Sequence, residues 1–150
     1  MKNSIKKEIY CYEGEHNYAK SYSMDDDRVD CKVAIVVNSI ADILYDDHVK
    51  RSLYKKLNLT SQDIVVNLDY FFPNVLKKTN KNKPLVDLIL DREKEMRKWR
   101  WERMLQEIEK DMKEKGQKIL LCFTTSDSMI CFLKKNWFKH LDEFNLVKEI

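Results

Sequence analysis

The sequence predicts an α/β domain, a mixed sheet with flanking helices, from three observations. Val33-Ala-Ile-Val-Val37 and Lys118-Ile-Leu-Leu-Cys-Phe123 are short apolar runs with the length and composition of buried strands. Met96 to Lys115 is strongly helical in propensity and places Trp101, Met104, Leu105, Ile108 and Met112 on one apolar stripe. Leu85-Val-Asp-Leu-Ile-Leu90, just before that helix, completes a strand-helix-strand order. The alternative is a mostly α-helical bundle, and the choice turns on residues 60–72.

Along the chain, Ile5 to Tyr12 reads as a strand whose lysines suit a sheet edge. Residues 13–30 are polar, with Gly14 and Asp25-Asp26-Asp27, and read as loop. After the strand at Val33, Asn38 or Ser39 offers an N-cap, and Asp42 completes a box-like pattern with Ser39. The apolar face Ile40, Ala41, Ile43, Leu44 gives way near Asp46 to a stripe of shifted phase, Val49, Leu53 and Leu57, which predicts two short helices. Thr60-Ser-Gln-Asp63 has a capping-box pattern. In the run that follows, Ile64, Val66, Leu68, Tyr70 and Phe72 alternate as a strand, while Ile64, Leu68 and Phe71 also make a helical stripe. The β-branched and aromatic bias favours the strand. Pro73 ends it, and Lys77 to Lys83 forms a basic turn into 85–90. Gly116 closes the long helix. Ser126 or Asp127 caps a helix carrying Met129, Ile130 and Leu133, and Phe144 to Ile150 is a last strand.

The length, 150 residues, suits one domain with a single core. Charged residues make up 35% of the chain and hydrophobic ones 43%, which describes a folded protein with a heavily charged surface. Lys plus Arg exceed Asp plus Glu by only 28 to 25, so net charge alone gives no case for nucleic acid. Scattered cysteines, with Cys122 and Cys131 among apolar residues, fit a reduced, intracellular chain, cytoplasmic by default. The apolar runs are too short for a membrane span, so no membrane partner is expected.

Met129-Ile-Cys-Phe-Leu-Lys-Lys-Asn-Trp-Phe138 resembles a helix of the GCN5-related N-acetyltransferase (GNAT) family that ends in an aromatic pair, two charged residues, a turn residue and Gly-Phe. The preceding helix, ending Glu-Lys-Gly116 and followed by Lys118-Ile-Leu-Leu, is similar to that family as well. The resemblance covers the C-terminal half only. It implies a GNAT-like fold that binds acetyl-CoA or another acyl-CoA, with the strand pair before and after the long helix parallel and splayed. In the family, the first turn of that helix carries R/Q-x-x-G-x-G/A, whose backbone N–H groups hold the pyrophosphate. Here it reads Arg97-Lys-Trp-Arg-Trp-Glu102, with Arg100 and Glu102 in place of glycines. Arg97, Lys98, Arg100 and Arg103 are the candidate cofactor-binding cations, together with Ser126. Asp87 is the candidate general base toward an unidentified amine acceptor. The Tyr that often serves as acid corresponds to Leu133, which cannot donate a proton, so activity is expected to be weak or lost.

Three other readings compete with this one. Arg97-Lys-Trp-Arg-Trp101 can be a solvated helix face tied by Glu93–Arg97 and Lys98–Glu102. It can contact RNA or DNA, which is not favoured, or exposed aromatics can serve a protein partner in a non-enzymatic interaction domain. Cys11 and His16 lack a second pair at zinc spacing, so no metal site is expected.

Overall fold

A computed structural model describes residues 5–24, 31–43, 46–71 and 100–150. β1 (Ile5–Gly14), β2 (Asn17–Met24), β3 (Cys31–Ser39) and β4 (Ile64–Phe71) pair antiparallel in succession. Between β3 and β4 lie α1 (Ile40–Ile43) and α2 (Asp47–Leu57). A long helix, α3 over 100–114, leads to β5 (Ile119–Phe123). Then come α4 (Asp127–Lys135), the two-residue β6 (Lys139–His140) and β7 (Asn145–Glu149). The described strands form one mixed sheet in the order β1-β2-β3-β4-β5-β7-β6. An α/β architecture is therefore present, and a helical bundle is not.

Several expectations change. Residues 17–24, read as loop, are strand β2. Tyr18, Tyr22 and Met24 face the core on one side, and Ala19 and Ser21 are buried on the other. Residues 64–71 are strand because β4 is buried on both faces, Val66 and Leu68 on one and Val65 on the other. In a strand Val65 points opposite to Val66 and Leu68, so the run meets both core layers at once. The Thr60–Asp63 pattern closes a turn instead, with the Asp63 carboxylate accepting from the Thr60 backbone N–H at 2.6 Å. The strand expected at 85–90 lies outside the described residues, and the parallel partner expected for β5 is corrected: its two neighbours are β4, which is parallel, and β7, which is antiparallel. Cys131 is exposed, unlike Cys122.

Side-chain alternation sorts the sheet into two faces. Val33, Ile35, Val37, Val66, Leu68, Leu120, Cys122 and Leu146 pack with Trp101, Met104, Leu105, Ile108 and Met112 of α3 and with Met129, Phe132 and Leu133 of α4. Val65, Ile119, Leu121 and Val147 on the opposite face meet Val49 and Leu53 of α2. The helical breaks follow their caps. Asp46 accepts from the His48 N–H at 2.8 Å, which starts α2 where the stripe changes phase. Gly116 takes φ 76° at the end of α3, a left-handed conformation that glycine adopts without a Cβ clash.

A charged cluster fixes α3 against the hairpin. Asp111 accepts from the Tyr22 hydroxyl at 2.8 Å and pairs with Lys7 at 2.9 Å and Lys20 at 3.5 Å, while Lys7 also meets Glu107 at 2.7 Å. Burial alone would raise the Asp111 carboxyl, but the bonds from Lys7 and Tyr22 win and hold it below its ordinary range. Burial dominates at Lys20 and lowers its ammonium pKa despite Asp111. No helix among the described residues is long and apolar enough to cross a membrane.

Candidate functional site

β4 and β5 are parallel neighbours, and their ladder ends where β5 ends. Pairing covers only Val66–Leu68 against Leu120–Cys122. Beyond it β4 continues along β3 to Phe71, while Phe123 of β5 pairs with Asn145 of β7. The carboxyl end of a parallel pair is where ligands of α/β proteins commonly bind. α3 feeds β5 through Gly116 and so runs antiparallel to it. Its 15 described residues (100–114) span about 22 Å, enough to bring its first described turn back to the carboxyl end of β5. α4 starts at that same end.

Strand alternation places Asp69 with Val65 and Phe123 with Leu121, on the α2 face. Past the last paired positions, Asp69 is exposed and Phe123 is 61% exposed. Phe144 meets Phe123 edge-on with centroids 6.4 Å apart. Asp142 holds that corner, accepting from the N–H groups of Phe144 at 3.0 Å and Asn145 at 2.8 Å. Burial pushes the Asp142 carboxyl up, but the Asn145 side-chain amide, donating at 3.0 Å, and then these backbone donors outweigh it and keep it below its usual range. The connection to α4 carries hydroxyls on Thr124, Thr125 and Ser126, and the Thr124 Oγ1 accepts from the Ser126 N–H at 3.1 Å.

On the opposite face, Cys122 is buried and its thiol is pushed up to about 12, by burial first and by the charge of Asp69 second. It stays a thiol at neutral pH and is no nucleophile. Trp101, in the first described turn of α3, packs edge-on against Phe132 of α4 at 5.3 Å.

The predicted site residues divide. Asp87, Arg97 and Lys98 lie outside the described residues. Arg100 is 1% exposed and Arg103 is exposed in the same turn, so of these two cations only Arg103 presents its side chain to solvent, beside the exposed Glu102. Ser126 caps α4, its Oγ accepting from the Met129 N–H at 3.3 Å. Leu133 is fully buried. The sequence reading missed Asp69, although its signal was available: it is the one acid within the β4 run. Phe123 and Phe144 were placed in their strands without a role.

Elsewhere, a groove of about 300 Å³ follows the outer face of α2, lined by His48, Arg51, Ser52, Lys55 and Lys56. No group of three metal-ligating side chains occurs among the described residues. His16 shares a hydrogen bond with Gln117 at 3.1 Å, and His140 Nδ1 lies 3.1 Å from the Asp142 carbonyl. No family model matches the chain, and neither a curated protein nor a solved structure matches it.

Proposed function

We propose that this domain binds an acyl-CoA at the carboxyl end of the parallel β4–β5 pair, as a divergent GNAT-type domain whose N-acyltransferase activity is weak or lost. The observation that carries the reading is the carboxyl end of this parallel pair, to which the first described turn of α3 returns and from which the loop to α4 leaves. A ligand at this end would meet that turn, with Arg103, on one face of the sheet and Asp69 on the other. The resemblance of residues 85–138 to the family supports the same ligand.

The strand parallel to β5 is β4, so the carboxylate in position to act as general base is Asp69. It would take a proton from an acceptor amine, directly or through water. The amine forms an amide bond with the acyl carbon, the C–S bond breaks, and the thiolate leaves. Protonation of that thiolate falls to water, because Leu133 is apolar and buried. Slow turnover follows from that missing acid. Acetyl-CoA at millimolar concentration is expected to raise the thermal midpoint by mass action, with Arg103→Ala reducing the shift. An unchanged midpoint would sink the proposal.

One feature favours a second reading, a protein-interaction domain. Edge strand β1 exposes Ile9, Tyr10 and Tyr12, which suits addition of a partner strand. That reading predicts partner capture lost on Ile9→Lys and indifferent to acyl-CoA.

A further inference from the structure

The C-terminal end of α4 carries a feature that acyl-CoA binding does not use. Trp137 has φ 74°, a left-handed conformation that costs an L-residue stability and that glycine adopts freely. Two hydrogen bonds lock it there: Phe138 N–H to the Leu133 carbonyl at 3.0 Å and Trp137 N–H to the Lys134 carbonyl at 3.2 Å. The indole is nevertheless 83% exposed, so the fold gains little from its apolar surface. Trp137 stands where the GNAT-like motif has glycine. A strained backbone presenting the largest aromatic side chain to solvent points to a ligand rather than to packing.

The surroundings define that ligand's chemistry. Lys134, Lys135 and Lys139 are exposed and none makes an ion pair among the described residues. Of the other near neighbours in the chain, Asn136 and His140 are polar, and the apolar Leu133, Phe138 and Leu141 are buried. A lone indole among cations lacks the apolar companions with which a helix enters a lipid surface. It matches instead a planar aromatic group joined to negative charge. The carbonyl end of the helix dipole repels an anion, but the Phe132, Leu133 and Lys134 carbonyls are capped by backbone N–H groups and three exposed lysines supply opposing charge. We propose that Trp137, with Lys134, Lys135 and Lys139, is a stacking platform for single-stranded nucleic acid, the base on the indole and the phosphates on the lysines.

The test uses a 12-nucleotide single strand of deoxythymidine, the whole chain, and tryptophan fluorescence with anisotropy of a labelled strand. Binding with quenching is expected. Trp137→Gly, which suits the left-handed backbone and should keep the fold, is expected to weaken binding about tenfold and abolish the quench. Lys134→Gln, Lys135→Gln and Lys139→Gln together should flatten the salt dependence of affinity. Equal binding by the Trp137→Gly variant, or equal affinity for duplex DNA without quenching, would reduce the patch to a plain polycation and overturn the proposal. Equal affinity for a mononucleotide would overturn the strand as the source. So would binding to phosphatidylserine vesicles that needs Trp137, in the absence of strand binding.

Discussion

Replacing Asp111 with alanine should be among the most damaging single changes at the α3–hairpin contact. Its side chain is 13% exposed, and it faces Lys20, whose side chain is 10% exposed. Breaking a buried charge pair typically costs about 3–5 kcal/mol, mostly from the charge left behind. Lys7 keeps Glu107, and Asp111 has some contact with solvent, so we expect about 3 kcal/mol, measured by urea denaturation at neutral pH. For a chain of this size that corresponds to a fall in Tm of roughly 6–12 °C. Adding Lys20→Met to Asp111→Ala should recover about 1 kcal/mol or more by removing the stranded cation. The folded-state pKa of Asp111 lies below its unfolded value, so its stabilisation is complete above about pH 4 and is lost as pH falls through the folded value. The gap between wild type and Asp111→Ala must therefore close in acid. A gap under about 0.5 kcal/mol at neutral pH, or one unchanged by acid, would refute the reasoning.

Three further changes test neighbouring parts of the structure. Asp142→Ala should cost about 1 kcal/mol and speed hydrogen exchange at Phe144 and Asn145, whose N–H groups lose their acceptor; unchanged exchange would contradict that role. Gly116→Ala should cost about 1 kcal/mol from backbone conformation alone, since a Cβ there meets nothing within 4 Å, and a neutral urea midpoint would show that the helix end relaxes. Burial first, and then the bond to Asp111, raise the Tyr22 hydroxyl far above its ordinary value. The stabilisation from its proton is present below about pH 10 and is lost above it. Tyr22→Phe should flatten the alkaline fall in stability, and a parallel fall in both proteins would assign that loss elsewhere.

How much of this was legible in the sequence depended on whether a signal was local. The apolar stripe of α3, the break between two helices near Asp46 and the caps at Ser126 and Gly116 are short-range patterns, and they appear where expected. β2 hid because Lys20 interrupts its core face and small residues fill the other. Lys20 belongs there only because Asp111, 91 residues away in sequence, reaches it from α3. The two exposed residues of β6 carry no pattern to detect. At the site, Asp69 was visible as an acid in a strand, but its position beside β5 is set by sheet order, which strand periodicity does not encode. Trp137 read as the end of a helix; its significance needed the sign of a backbone angle.

The most direct test of acyl-CoA binding is a backbone amide NMR titration of the whole chain with a non-hydrolysable acetyl-CoA analogue. Shift changes should concentrate at Asp69, Phe123, Thr124, Thr125 and the first described turn of α3. Saturable changes confined to the basic groove of α2, at Arg51, Lys55 and Lys56, or no saturable change at all, would contradict a site at the carboxyl end of the β4–β5 pair.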